Sequence, residues 1–500
     1  MFEARRSGIL MPISSLPGPW GIGCFSAEAE GFIDSLAAAG QEIWQILPLG
    51  PTGYGDSPYS SFSTFAGNHY FIDPERLVEA GLLVPSELEG MEWGDDVERV
   101  DYGALYASRN AVLRIAFSRA LDLGLNCEFL EFEERASAWL DDFALFMTAK
   151  GLNDQAPWTT WPEGLRHRDP RALEELRNDH PEEIRYWKWL QWVFDCQWRS
   201  LHARAAAAGV KILGDIPIYV AADSADAWAH PELFDLDEDL APRRVAGVPP
   251  DGFSATGQVW GNPLYDWERH REQGYSWWIE RMRRQLELVD VVRLDHFRGL
   301  ESYFAVPAGE DTAANGVWEA GPGMELFSAL TSALGPLPLI LEDLGYLTQE
   351  VIDLREASGY PGMQILQFAF DSREPADYQP HRFPRDSVVY TGTHDNNTLV
   401  GWYRTLSQAD REKSIVYLNN ARTPESERPW DFITRAMTSV ANTCIVPMAD
   451  YLCLDGDARM NTPAVPEGNW QWRMAPGAFD EALVDRIRAL TEVSERAAGN

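Results

Sequence analysis

The sequence predicts an α/β fold, a (β/α)8 TIM barrel with helical insertions between its strands. Short apolar segments recur along the 500 residues, several are separated by sequence of helical period, and four run into an acidic residue. Barrels of this kind keep their chemistry at the carboxyl ends of the strands, so acids in those places converge on one mouth.

Residues 7–13 read as a first strand, followed by the turn-forming Pro17-Gly18-Pro19. Ser26 is placed to cap a helix whose apolar face is Phe32, Ile33, Leu36 and Ala37, and Gly40 to end it. Residues 42–49 form a second strand, and strand, helix, strand is a βαβ unit with parallel pairing. The next loop, from Gly50 to Ser60, has two readings: an ordinary Gly- and Pro-rich surface turn, or a site loop carrying Tyr54 and Tyr59.

Residues 70–200 break the alternation with mostly helical sequence, an insertion or subdomain within one catalytic barrel spanning 1–500. Pro181 suits the first turn of a helix running to about Ala208, with Ile184, Trp187, Leu190, Val193 and Phe194 at helical spacing. A third strand, 210–217, carries Asp215 near its end. The connection over 240–270 is rich in Gly and Pro, so it is expected to be irregular and to serve as a lid over the active site. Helical sequence over 275–288 leads to a fourth strand, 289–295, and the remaining four are 339–343, 363–370, 388–394 and 443–448. The alternative is an open doubly wound sheet. Its Gly-rich phosphate turn is missing from Ser14-Ser15-Leu16-Pro17-Gly18.

A net charge of −35 repels nucleic acid and anionic membranes and favours a neutral substrate. Cys24, Cys127, Cys196, Cys444 and Cys453 have no CxxC spacing, so neither a disulfide framework nor a zinc cluster is expected. No apolar run reaches membrane-spanning length, and a cytoplasmic location is expected. Twenty Trp is a high number, and flat rings suit the C–H face of a sugar.

The most informative stretch is Val291-Val292-Arg293-Leu294-Asp295-His296-Phe297-Arg298-Gly299. Strand alternation puts Arg293 and Asp295 on one face. Such a pair is either a structural ion pair or a carboxylate kept ionised by its neighbour and able to attack an electrophilic carbon. The acids at Glu342-Asp343 and His394-Asp395, each closing another apolar strand, favour the second. Cleavage of a glycosidic bond needs a proton donor on one side of the anomeric carbon and a carboxylate on the other. Asp295 fits the nucleophile. Glu342, flanked by Leu341 and Leu344, fits the donor, since apolar surroundings raise a carboxyl pKa. Asp395 fits a third acid gripping sugar hydroxyls, with His296 and His394 as hydrogen-bond donors. There is no His-x-x-x-His pair and no Ca²⁺ loop of alternating acids, so neither metal nor cofactor is expected.

At these residues the chain resembles the 4-α-glucanotransferases called amylomaltases or disproportionating enzymes, of the α-amylase-like group of retaining barrel enzymes. The resemblance covers nearly the whole chain. It rests on Gly55-Asp56-Ser57-Pro58-Tyr59, the loop from Asp251 to Pro263, the Arg293-containing stretch, Glu342-Asp343-Leu344-Gly345, Thr393-His394-Asp395-Asn396 and Arg459-Met460-Asn461-Thr462-Pro463, in the family's order. It implies Asp295 as nucleophile, Glu342 as general acid/base and Asp395 as transition-state stabiliser. It also implies that Tyr59, Asp215, Arg293, His296 and His394 line the subsite of the transferred sugar. Gln258 and Trp260 would cover the acceptor side with Asp343 and Asn461 nearby, and Tyr54 would border a groove for long glucans. Ser57 and Asp251 are counted with the substrate-binding residues. Donor and acceptor would be maltooligosaccharides or α-1,4-glucans from starch or glycogen. Two departures, Leu341 where the family often has Ala and Asn397 where it often has Asp, touch none of the three acids. A retaining α-glucan hydrolase and an inactive glucan-binding protein are the alternatives.

Overall fold

In the computed structural model, which describes residues 4–53, 55–250, 256–345, 347–373 and 378–497, each of the eight expected strands forms. The strands are β1 (Arg6–Leu10), β2 (Ile43–Gln45), β3 (Lys211–Ile216), β4 (Arg244–Val248), β5 (Gln258–Pro263), β6 (Val291–Leu294), β7 (Ser302–Pro307), β8 (Val317–Ala320), β9 (Leu339–Leu341), β10 (Gly362–Ile365), β11 (Ser387–Tyr390) and β12 (Thr443–Pro447). Eight of them pair in parallel in the order β10-β11-β12-β1-β2-β3-β6-β9, a sheet nearly closed into a barrel. β9 and β10 stand at its two ends, and no strand ladder joins them. Two bonds cross this seam: Leu341 N donates to Pro361 O at 2.9 Å, and Met363 N to Asp343 Oδ1 at 2.7 Å.

Strand interiors are apolar on both faces, as parallel sheets covered by helices require. Leu339, Ile340 and Leu341 are wholly buried, each worth about 1.5–3 kcal/mol of apolar burial. The first helix, Ala27–Ala38, buries Phe32, Ile33 and Leu36 and gives way to Gly40 at φ +71°, a left-handed turn natural to glycine. Ser26 sits at its N-cap, but its hydroxyl donates to Glu28 Oε2 at 2.6 Å instead of accepting from the helix backbone. The helix Pro181–Ala207 starts on its proline and buries Trp189 and Trp198 along with the expected Leu190, Val193 and Phe194; Trp187 is only half-buried.

Residues 70–200 are predominantly helical and lie between β2 and β3. They are tied to the loop after β3 by Lys150 Nζ on Asp223 Oδ2 at 2.5 Å and by Trp158 Nε1 on Ala222 O at 2.8 Å.

The connection over 240–270 differs from its expected irregularity. It contributes β4 and β5 to a four-stranded antiparallel sheet ordered β5-β4-β7-β8. Its glycines mark close strand approach and a bulge: a Cβ on Gly247 would lie 2.5 Å from Gln258 O, Gly261 has φ +78°, and the β4–β5 register shifts between Val245 and Gly247. The strand expected over 363–370 is shorter, giving way to a 3₁₀ turn at Gln367–Phe370.

At the amino ends of the strands, the buried Arg496 donates to the carbonyls of Arg6 and Asn442 at 2.8 Å each and of Met437 at 2.7 Å. Arg5 donates to the carbonyls of Met437 at 3.0 Å and Ser439 at 2.9 Å. Burial lowers the Arg496 guanidinium to about 10, still protonated at neutral pH. Among the described residues no helix is long and apolar enough to cross a membrane.

Candidate active site

The parallel register sets Asp215 on β3 beside Arg293 on β6. Arg293 Nη1 lies 2.8 and 2.7 Å from the two oxygens of Asp215 and 2.9 Å from Asp295 Oδ1. Burial alone would lower the pKa of this guanidinium, but Asp215 and Asp295 beside it raise it well above its ordinary value. Arg293 is therefore a fixed cation in a dry setting, where its field is screened far less than in water. The carboxylate of Asp215 is enclosed between Arg293 and Tyr59, whose hydroxyl donates to Asp215 Oδ2 at 2.8 Å. Asp215 thus holds Arg293 and Tyr59, two of the residues grouped with it by the resemblance.

One residue beyond Asp295 the chain bends: His296 has φ +49°, a left-handed conformation uncommon for a non-glycine residue and frequent at functional sites. The bend turns its N–H onto Glu342 Oε2 at 2.8 Å, while Leu344 N donates to Oε1 at 2.9 Å. Glu342 is bound to β6 through its backbone as well, its N donating to Leu294 O at 3.0 Å and its O accepting from Phe297 N at 3.2 Å. Burial, and after it the negative charge of Asp295, push Glu342 up to about 7, although Arg293 and the two backbone donors oppose this. A carboxyl poised near neutrality can give and take a proton in turn. Burial also pushes the His296 imidazole down to about 4, so it is neutral at pH 7.

Asp395 belongs to the turn after β11, shaped by Asn396 Oδ1, which accepts from Thr393 N at 2.8 Å and Thr393 Oγ1 at 3.0 Å. Asn461 Nδ2 donates to Asp395 Oδ1 at 2.6 Å. Arg459 reaches Asp395 O and Asn461 O, both at 2.6 Å. The buried His394 puts Nε2 3.4 Å from Asp395 Oδ2 and stacks on Tyr59, with ring centroids 4.8 Å apart. Trp470 packs against both rings, at 5.8 and 6.0 Å. Tyr59 Oη also lies 3.3 Å from His394 Nδ1.

Trp260, on β5, sets its ring edge-on to His296 at 4.8 Å and donates from Nε1 to Gln258 Oε1 at 3.2 Å. Ser57 Oγ accepts from Tyr59 N at 3.3 Å, shaping the turn that carries Tyr59. Asp343, expected near the acceptor sugar, is 3% exposed, with Oδ1 on Met363 N and Oδ2 2.8 Å from Arg355 Nη1; its carboxylate is committed to the seam between β9 and β10. Tyr54 and Asp251 lie outside the described residues. Sequence reasoning missed Trp470, Tyr219 and the part played by Arg459. Tyr219 lies 6.5 Å from the His296 ring and 6.4 Å from the Trp260 ring, and nothing around it in sequence distinguishes it. Among the described residues no group of three or more His, Cys, Asp and Glu could hold a metal ion.

The family model described as 4-alpha-glucanotransferase (Glyco_hydro_77) matches residues 11–479. The chain belongs to this family. The 4-alpha-glucanotransferase of Streptococcus pneumoniae serotype 4 is 47% identical over 501 residues, covering 99% of this chain and 98% of the relative. That of Thermus thermophilus is 47% identical over 500 residues, covering 98% and 99%. Among solved structures, an amylomaltase from Streptococcus agalactiae in complex with acarbose superposes with a TM-score of 0.94 at 37% identity, covering 99% of this chain and all of that one. In this 4-alpha-glucanotransferase, Asp295, Glu342 and Asp395 follow three strands of the parallel sheet, β6, β9 and β11, in the manner of barrel enzymes.

Proposed function

We propose that the enzyme moves an α-1,4-glucan segment from a donor glucan to the 4-OH of an acceptor glucan or glucose by retaining double displacement through a glycosyl-enzyme on Asp295. Arg293 Nη1 lies 2.9 Å from Asp295 Oδ1, and Oδ2 is read as the attacking oxygen. In the first step that oxygen bonds to the anomeric carbon as the glycosidic C–O bond breaks, and protonated Glu342 gives its proton to the departing oxygen. In the second step ionised Glu342 takes the proton of the acceptor 4-OH, whose oxygen displaces Asp295 from the anomeric carbon. Configuration is inverted twice and so retained. Asp395, oriented by Asn461, accepts hydrogen bonds from sugar hydroxyls as positive charge develops on the ring.

The observation that carries this reading is the contrast between the two carboxyl groups: Asp295 touches a buried cation, while Glu342 is raised to about 7 next to the Asp295 charge. Residues 240–270 are read as the lid on the acceptor side, with Trp260 helping to keep water from the intermediate. Incubation with maltotriose tests the proposal. It should yield glucose and a ladder of longer maltooligosaccharides with a constant number of reducing ends; a steady rise in reducing ends would make the enzyme a hydrolase.

A further inference from the structure

We propose that Asp343 is a positioning residue for Glu342, its carboxylate replacing the missing ladder between β9 and β10 and fixing the strand end that carries the acid/base residue. The proposal rests on the reading of Glu342 given above. On its β6 side Glu342 is held through its own backbone, to Leu294 O and from Phe297 N. On the other side no ladder forms, and the backbone bond across the seam, Leu341 N to Pro361 O, stops a residue short of Glu342. Asp343 closes that gap. Its Oδ1 accepts from Met363 N on β10, and its Oδ2 is gripped by Arg355 from the helix Gln349–Ser358. The neighbouring strand is shaped for it: a Cβ on Gly362 would lie 2.3 Å from Asp343 Oδ2 and 2.5 Å from Oδ1, so only glycine leaves room for the carboxylate. Gly362 is not in the left-handed region, so this requirement is one of space alone.

Charge-assisted bonds to a backbone N–H and a guanidinium are the strong kind, and each is stiffer than a neutral ladder bond. Displacement of a catalytic group by about 1 Å costs on the order of a hundredfold in rate. An acceptor-sugar ligand would instead need an oxygen facing the mouth, and both oxygens of Asp343 are engaged with protein.

Two variants test this, Asp343→Asn and Gly362→Ala, the second displacing the carboxylate without removing it, so that a folding failure of the first leaves the question open to measurement. Each is assayed with maltotriose as donor and with α-maltotriosyl fluoride, whose departing fluoride needs no proton. The expected result is a loss of kcat on maltotriose of at least about tenfold, with the acceptor KM for glucose within about twofold and first-turnover fluoride release near wild type. An equal loss on the fluoride donor would show damage not routed through Glu342. Unchanged kcat in both variants, or a raised acceptor KM with kcat intact, would equally overturn the proposal. Glu342→Gln is the control: if the fluoride donor fails to rescue it, the reading of Glu342 as proton donor falls, and that outcome is recognisable because the control alone produces it.

Discussion

Asn461 donates its amide hydrogen to Asp395 Oδ1 at 2.6 Å across 66 residues of chain. The bond fixes the rotation of a carboxylate whose side chain is otherwise 47% exposed. With the carboxylate free to rotate away from the sugar, Asn461→Ala is expected to lower kcat on maltotriose by about tenfold or more, with little change in thermal stability because the bond is half-exposed. Steady-state kinetics paired with a melting curve checks both parts.

Glu342 sets the pH dependence. In the proposed mechanism it must be protonated to cleave the donor, so kcat/KM for donor cleavage should fall as pH rises through about 7. The same shift bears on stability. Between its ordinary 4.5 and its folded value of about 7, the folded state holds a proton that the unfolded state has released. Stability contributed by this group is therefore complete below 4.5 and lost as pH rises toward 7. Glu342→Gln, neutral at every pH, should melt higher than wild type at pH 8 and alike at pH 4, while losing turnover on maltotriose. Calorimetry at the two pH values decides this.

Replacing Arg293 by Lys keeps the charge and loses the planar fork. The shorter, flexible lysine does not hold its ammonium where Nη1 stands between Asp215 and Asp295, so kcat should drop by at least about a hundredfold, whereas a requirement for positive charge alone would leave it nearly intact. Single-turnover rates distinguish the two.

Trp260 is 39% exposed and stands over His296. Removing its ring in Trp260→Ala should weaken acceptor binding and admit water, raising the share of glycosyl groups hydrolysed by on the order of tenfold. Reducing ends formed per glucose released, followed over time with maltotriose, measures the share.

Much of this was legible in the chain. The eight parallel strands could be read because buried parallel strands are continuous apolar runs, and the acids stood out because each ends such a run. Arg293 and Asp295 declared themselves by spacing. Asp215 as the second partner of Arg293 did not, because that contact depends on the register between β3 and β6, which no local pattern encodes. The sheet of β4, β5, β7 and β8 was hidden by Gly247, Gly261 and Pro263, residues that mark loops in general and here mark a bulge and a close strand contact. The resemblance alone places Asp343 near the acceptor side; its bonds to Met363 N and Arg355 depend on the packing of β9 against β10, which no local pattern encodes. Trp470 was one tryptophan among twenty, with no motif to lift it out.

The carbonyls shared by Arg5 and Arg496 put residues 5 and 496 together at the amino ends of the strands, opposite the rim that gathers the three acids. A solid support or fusion partner tethered at either place would hold the molecule with the rim of Asp295, Glu342 and Asp395 turned outward, so immobilisation there leaves the approach to those acids open.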